Sequence, residues 1–166
     1  MTNFFRLSGI VALCALLFYT PGLSAKELRG RLGVGATGQL RNGISAASVK
    51  IQRSNTFAIG AVVGAKFSDS DSGYGVGVKV YRIVFDEPQL NFYVSAMAAL
   101  LNNEVAGTSY GGFQLDGTFG SEFHFTGMES IGFSFEFGIS ANKIQENFTL
   151  ESVGDHFVTA AIHFYL

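Results

Sequence analysis

The chain has 166 residues, of which 48% are hydrophobic, 14% aromatic and only 14% charged, with a formal net charge of −2. Soluble domains average about 25% charged residues. This deficit, with a mean hydropathy of +0.29, excludes a disordered chain and argues against an ordinary cytosolic domain, and the small net charge offers no basic field for nucleic acid or acidic lipid.

The first element is a targeting segment. Met1 to Arg6 carries one positive charge and no acid, Leu7 to Tyr19 is an almost unbroken apolar run, and Pro21 and Gly22 break it before Leu23-Ser24-Ala25. These are the n-, h- and c-regions of a secretory signal peptide covering residues 1–25. The apolar run is shorter than the roughly 20 residues that a spanning helix needs. Cys14 follows the bulky Leu13, and the apolar run continues past it, which does not suit a lipidation site. Residues 26–166 are then the mature domain. It has no cysteine and therefore no disulfide, so its stability must come from burial or from its surroundings.

From there the hydrophobic period is two almost throughout, which predicts strands. A weak strand sets Leu28, Leu32, Val34 and Ala36 against Arg29, Arg31, Gly33 and Gly35, and a second sets Ala47, Val49 and Ile51 against Ser48, Lys50 and Gln52. The third places Phe57, Ile59, Ala61, Val63, Ala65 and Phe67 on one face, with Lys66 on the other. The fourth opposes Tyr74, Val76, Val78 and Val80 to Gly73, Gly75, Gly77 and Lys79. The phase slips over 80–85, where Arg82 would face outward unless a β-bulge turns it. The fifth carries Leu90, Phe92, Val94, Ala96, Ala98 and Leu100 against Asn91, Tyr93, Ser95 and Met97. The sixth alternates Phe113, Leu115, Phe119, Phe123 and Phe125 with Gln114, Asp116, Thr118, Glu122 and His124. In the seventh, Ile131, Phe133, Phe135, Phe137 and Ile139 oppose Ser134 and Glu136. The last runs Val158, Ala160, Ile162, Phe164 and Leu166 against Thr159, Ala161, His163 and Tyr165.

Eight strands with one large apolar face and one small, polar face predict an all-β, eight-stranded antiparallel up-and-down transmembrane β-barrel. The glycine- and serine-rich face could not build a packed apolar core, so the apolar face must meet lipid and the small face the lumen. The lumen is then expected to hold Arg29, Arg31, Lys50, Lys66 and Lys79 against Asp116, Glu122 and Glu136, where opposite signs offset part of their desolvation. An even strand number puts both termini on one side, the periplasm. Turns at 53–56, 86–88 and 126–130 are short, and the outer loops are expected at 38–45, 68–72, 102–109 and 141–155, matching the usual asymmetry of such barrels.

The mature chain resembles the small eight-stranded outer-membrane barrels of Gram-negative bacteria, the OmpA membrane-domain and OmpX type. The most specific feature is the alternating end Val158, Ala160, Ile162, Phe164 and Leu166, which resembles the signal read by the barrel assembly machinery, with Leu166 standing where the family usually has Phe. The resemblance implies location in the cell outer membrane, contact with its lipid and lipopolysaccharide, assembly by that machinery, and a monomer with a structural or surface-interaction role through its outer loops. A narrow channel is the alternative, since a glycine-lined lumen leaves room for water. A lipid A-modifying enzyme is a third, although the resemblance brings no catalytic residue.

Candidate chemistry is otherwise sparse. His124, Thr126 and Glu136 are the residues to compare with lipid A deacylases, but Thr126 stands where those enzymes have Ser and the segment lies at the periplasmic end. His163 reads as a lumen histidine, and His156 begins the last strand. Asp69-Ser70-Asp71-Ser72-Gly73 hints at a calcium loop but lacks the later ligands of an EF-hand, so a hairpin turn is expected. Asn147-Phe148-Thr149 has the spacing of a glycosylation acceptor, which has no meaning in the bacterial setting. No catalytic, metal or cofactor residue is expected.

Overall fold

The computed structural model describes residues 28–68, 71–105, 107–144, 147–154 and 157–166. The expected signal peptide, 1–25, lies outside them, as do His156 and the Asp69-Ser70 pair of the candidate calcium loop. The described residues form nine strand segments: β1 (Leu32–Thr37), β2 (Ala46–Ser54), β3 (Phe57–Lys66), β4 (Asp71–Glu87), β5 (Leu90–Val105), β6 (Thr108–Phe125), β7 (Met128–Ile144), β8 (Asn147–Ser152) and β9 (Thr159–Tyr165). Each pairs antiparallel with its chain neighbour from β1 to β8, and β9 closes the sheet between β7 and β1. β8 and β9 both pair with β7, on Ile139–Ile144 and Ile131–Glu136 respectively, so they are two pieces of one eighth strand. The result is a closed eight-stranded up-and-down barrel, and among the described residues no helix is long and apolar enough to cross a membrane.

The break in the eighth strand has a local cause. Gly154 and Phe157 both adopt positive φ, 80° and 78°. Such a conformation takes the chain out of the ladder and is costly for a residue with a Cβ. Phe157 is held there by stacking on Phe137, centroids 6.2 Å apart.

Alternation sorts the side chains cleanly. On β4, every second residue from Gly73 to Ile83 is buried inside, while Tyr74, Val76, Val78 and Val80 are exposed outside. The same division holds for Phe119, Phe135, Phe137, Ile139 and Phe164 outside, and for Asp116, Glu122, Glu136 and His163 inside. The wall is uneven: β1 to β3 have 6, 9 and 10 residues, whereas β4 to β7 have 17, 16, 18 and 17.

Three expectations are corrected, for the two longer loops and for Leu28, and the slip expected over 80–85 is located. The loops expected at 102–109 and 141–155 are mostly strand, since β5 pairs with β6 out to Val105–Thr108 and β7 with β8 out to Ile144–Asn147. Their outward residues turn polar there, as with Asn102 and Glu104 on β5, so the apolar alternation ends before the ladder does. The irregularity in β4 falls between Ile83 and Phe85, after Arg82. Arg82 therefore faces outward, at the level of the turn, where its guanidinium lies 3.4 Å from the Thr56 hydroxyl. Leu28, expected on the outward face, is buried at the end of the barrel that carries the termini. A turn through Gly30 (φ 79°), tied by Gly30 N–H to Gln52 carbonyl, tucks it there.

The interior is filled rather than hollow. At the far end, Leu40, Ala46, Val62, Met97, Ala99 and Leu101 pack together. Nearer the termini, Ala58, Tyr81, Ile83 and Tyr93 form a second cluster. The small face of the sheet therefore does build apolar packing, because residues of the loop between β1 and β2 and tyrosines of β4 and β5 supply the bulk. The inward glycines are the receptacles: a Cβ on Gly120 would lie 2.8 Å from the Tyr93 ring, and one on Gly75 would lie 2.6 Å from Leu40 Cδ1. They make room for those side chains.

Candidate functional site

Around Tyr81 and Tyr93 of the second cluster lies a group of buried charges. β4 points Lys79 inward and β7 points Glu136 toward it, because both fall on the inward phase of their strands. Lys79 Nζ donates to both Glu136 carboxylate oxygens, at 2.6 and 2.7 Å. Tyr93 hydroxyl donates to Glu136 Oε1 and Thr118 hydroxyl to Oε2, each at 2.8 Å. One layer toward the termini, Lys50 Nζ donates to Glu122 Oε2 at 2.8 Å, and Tyr165 hydroxyl donates to Oε1 at 2.6 Å. Lys50 also sits over the Tyr81 and Tyr93 rings, 4.7 and 5.2 Å from their centroids. Taking these ions out of water costs several kcal/mol each, which is tolerable only where such a shell of partners is complete.

Asp116 joins from β6 by a different route. Its carboxylate accepts from Gln114 Nε2 at 2.8 and 3.0 Å and from Gln39 Nε2 at 2.9 Å. Gln39 Oε1 in turn accepts from Lys79 Nζ at 2.6 Å, so one glutamine bridges the lysine and the aspartate. Gln39 belongs to the segment between β1 and β2, which the alternation pattern marked only as an outer loop. Nothing periodic identifies it; the signal is the pair of apolar residues, Leu40 and Ile44, in an otherwise polar stretch.

Of the eight charges expected in the lumen, the structure brings five together there: Lys50, Lys79, Asp116, Glu122 and Glu136. The other three lie elsewhere. Lys66, at the end of β3, is exposed and pairs with Asp71 across the β3–β4 turn, because the strand has already passed the rim. Arg29 is exposed in the turn before β1. Arg31 reaches along the terminal rim, donating to Tyr165 carbonyl at 2.7 Å, Leu166 carbonyl at 3.3 Å and Ser130 hydroxyl at 3.1 Å. It fastens the last residues of the eighth strand to the start of β1 and to the first residues of β7. The assembly-signal residues Val158, Ala160, Phe164 and Leu166 are exposed on the outward face, with Ile162 partly covered beside them.

The histidines have separate settings. His163 Nε2 lies 2.9 Å from Ser48 hydroxyl. His124 Nδ1 lies 3.1 Å from Glu129 carbonyl. Thr126 is in the exposed turn beside Gln89, and Glu136 is engaged by Lys79, so His124, Thr126 and Glu136 each answer to different partners. In the same turn, Gly127 N–H donates to Glu129 Oε1 at 2.9 Å. That bond holds the Glu129 carboxyl below the usual carboxylate range.

No protein-family model and no curated protein matches the sequence. Among solved structures, the chain is similar to the N-terminal β-barrel domain of Pseudomonas aeruginosa OprF, with a TM-score of 0.60 over 83% of this chain and 98% of that one, at 14% identity. The likeness is one of fold: a closed eight-stranded antiparallel barrel, as the resemblance to the small outer-membrane barrels implies.

Proposed function

We propose that the chain is an integral outer-membrane barrel whose role is exercised at its far-end surface, with a lumen that does not conduct. The observation that carries this reading is the exposed apolar band on the outside of a barrel whose charges are inside. Val76, Val78, Val80, Phe119, Phe135, Phe137 and Ile139 are all exposed, and a continuous apolar surface of that kind is not kept in water by a monomer. In hydrocarbon it satisfies the rule that only helices and closed barrels span. The termini then lie on the periplasmic side, and the far end, where β4 to β8 outgrow the rest of the wall, lies outside. Lipid and lipopolysaccharide surround the band in this reading, and the assembly machinery would take up the C-terminal strand.

Fractionation of cells expressing the chain tests it. Recovery in the outer membrane, with a heat-dependent shift of mobility in detergent gels, is expected. Recovery as a periplasmic monomer that needs no detergent would overturn it.

A further inference from the structure

Residues 38–45 connect β1 to β2, yet they turn into the barrel mouth instead of away from it. Their main chain makes no backbone–backbone hydrogen bond to a strand among the described residues; the bond they do make is internal, Gly43 N–H to Leu40 carbonyl at 3.2 Å. The segment is held by its own Asn42, whose Nδ2 donates to the Tyr74 carbonyl at 3.0 Å, and by side chains of the wall.

Each of those side chains reads a different part of a peptide. Gln114, fully buried, donates from Nε2 to the Gln39 carbonyl at 3.0 Å and accepts the Arg41 N–H on Oε1 at 2.9 Å. That is the donor–acceptor pair a neighbouring strand would offer. Lys79 and Asp116 read the Gln39 carboxamide, the ammonium at its oxygen and the carboxylate at its nitrogen. A carboxylate in that place would face Asp116, and an ammonium would face Lys79, so a neutral amide is selected. Leu40 enters the apolar pocket of Val62, Met97, Ala99 and Leu101, and Gly75 leaves room for its Cδ1. Glycines stand on either side of Gln39–Asn42: nothing lies within 4 Å of where a Cβ would stand on Gly38 or Gly43, and Gly43 has φ +70°. Its outer ties, Arg41 to Glu151 at 2.5 Å and to Gly154 carbonyl at 3.1 Å, are at the rim.

We propose that the far-end mouth is a peptide-binding pocket held shut by the chain's own Gln39–Leu40, and that its external ligand is an extended peptide carrying a carboxamide side chain followed by a branched aliphatic one. The proposal deepens the reading of the far end as the interacting surface and rests on it. The loop competes with the ligand in cis, so the free chain binds weakly and a chain with the loop withdrawn binds well.

The test uses a variant with Gln39–Asn42 deleted, which removes the main chain that occupies Gln114, refolded in detergent, with fluorescent acetyl-Gly-Gln-Leu-Arg-amide as the probe. Saturable binding is expected, at least about tenfold tighter than to the unsubstituted chain. Replacing Gln by Glu, or Leu by Ser, in the probe should weaken it about tenfold each. A variant that keeps its heat-dependent mobility shift but binds none of the three probes, or all three alike, overturns the pocket. A second variant covers failure to fold. Leu40→Cys keeps an apolar side chain in the pocket, and the chain's other cysteine, Cys14, lies in the expected signal peptide. Its labelling by a membrane-impermeant maleimide should be slow, and several-fold faster with excess probe. A rate that the probe leaves unchanged also overturns the proposal. Loss of the mobility shift in the unsubstituted chain would instead count against the membrane reading, so the two failures are separable.

Discussion

Two neighbours on β7 show how completely the faces differ. Phe135 is exposed outside and Glu136 is buried inside, bound by Lys79. Phe135→Arg should cost about 2–4 kcal/mol if the residue meets hydrocarbon near the midplane. Glu136→Gln should cost about 3–5 kcal/mol, because it leaves the Lys79 ammonium buried without its counterion. The second loss should be partly recovered by adding Lys79→Met, and not by neutralising Lys66, which lies at the rim. No lumen change should recover Phe135→Arg. Refolding titrations into bilayers measure all of these, and a Phe135→Arg chain as stable as the parent would remove the argument for lipid contact. Gly120→Ala belongs at the same scale. Its Cβ would stand 2.7 Å from Glu136 Cγ and 2.8 Å from the Tyr93 ring, so overpacking of about 1–3 kcal/mol is expected despite the gain of a better strand former.

Among the elements, the interrupted eighth strand makes the clearest forecast. Phe157 combines a positive φ of 78° with stacking on Phe137. Phe157→Ala loses the stacking and keeps the unfavourable backbone, whereas Phe157→Gly loses the stacking and relieves the backbone. Glycine should therefore be the more stable of the two by about 1–2 kcal/mol, the reverse of their usual order in a regular element. Equal stabilities would mean the positive φ is not retained. This element also marks where the sequence stops being legible. Alternation from Val158 to Leu166 marks the lower piece, because its outward residues are all apolar and the inward Thr159, His163 and Tyr165 are not. The upper piece, Asn147–Ser152, reads as loop, since its strand character comes from pairing with β7 beyond the apolar band. The segment 38–45 was opaque for a related reason. Its burial depends on Gly64, Gly73 and Gly75, which lie on other strands and whose emptiness has no meaning until Leu40 and Ile44 fill it. Lys66 and Asp116 both sit on inward phases, yet only height along the barrel separates a rim pair from a buried one, and a period of two carries no height.

For the whole molecule, the filled interior sets the expectation for transport. Eight strands leave an interior just wide enough for side chains to fill, and here Leu40 and its neighbours fill the far end, and interleaved ion pairs and tyrosines fill the part nearer the termini. Planar-bilayer recordings should show little or no conductance. Steady nanosiemens openings would contradict the packing.

The unequal strand lengths bear on how such a barrel comes together. The closing ladder between β1 and β9 runs only from Gly33–Tyr165 to Thr37–Ala161, while the β5–β6 ladder runs from Leu90–Phe123 to Val105–Thr108. The closing residues are also the most distant in sequence, so the entropy of joining them is the largest of any pair in the wall. The tall hairpins can zip locally, but the short seam forms last and opens first. Amide protons of β1 should exchange ahead of those of β5 and β6. The Arg31 clasp on the Tyr165 and Leu166 carbonyls then acts as the latch of that seam, and its loss should hasten opening without disturbing the rest of the wall.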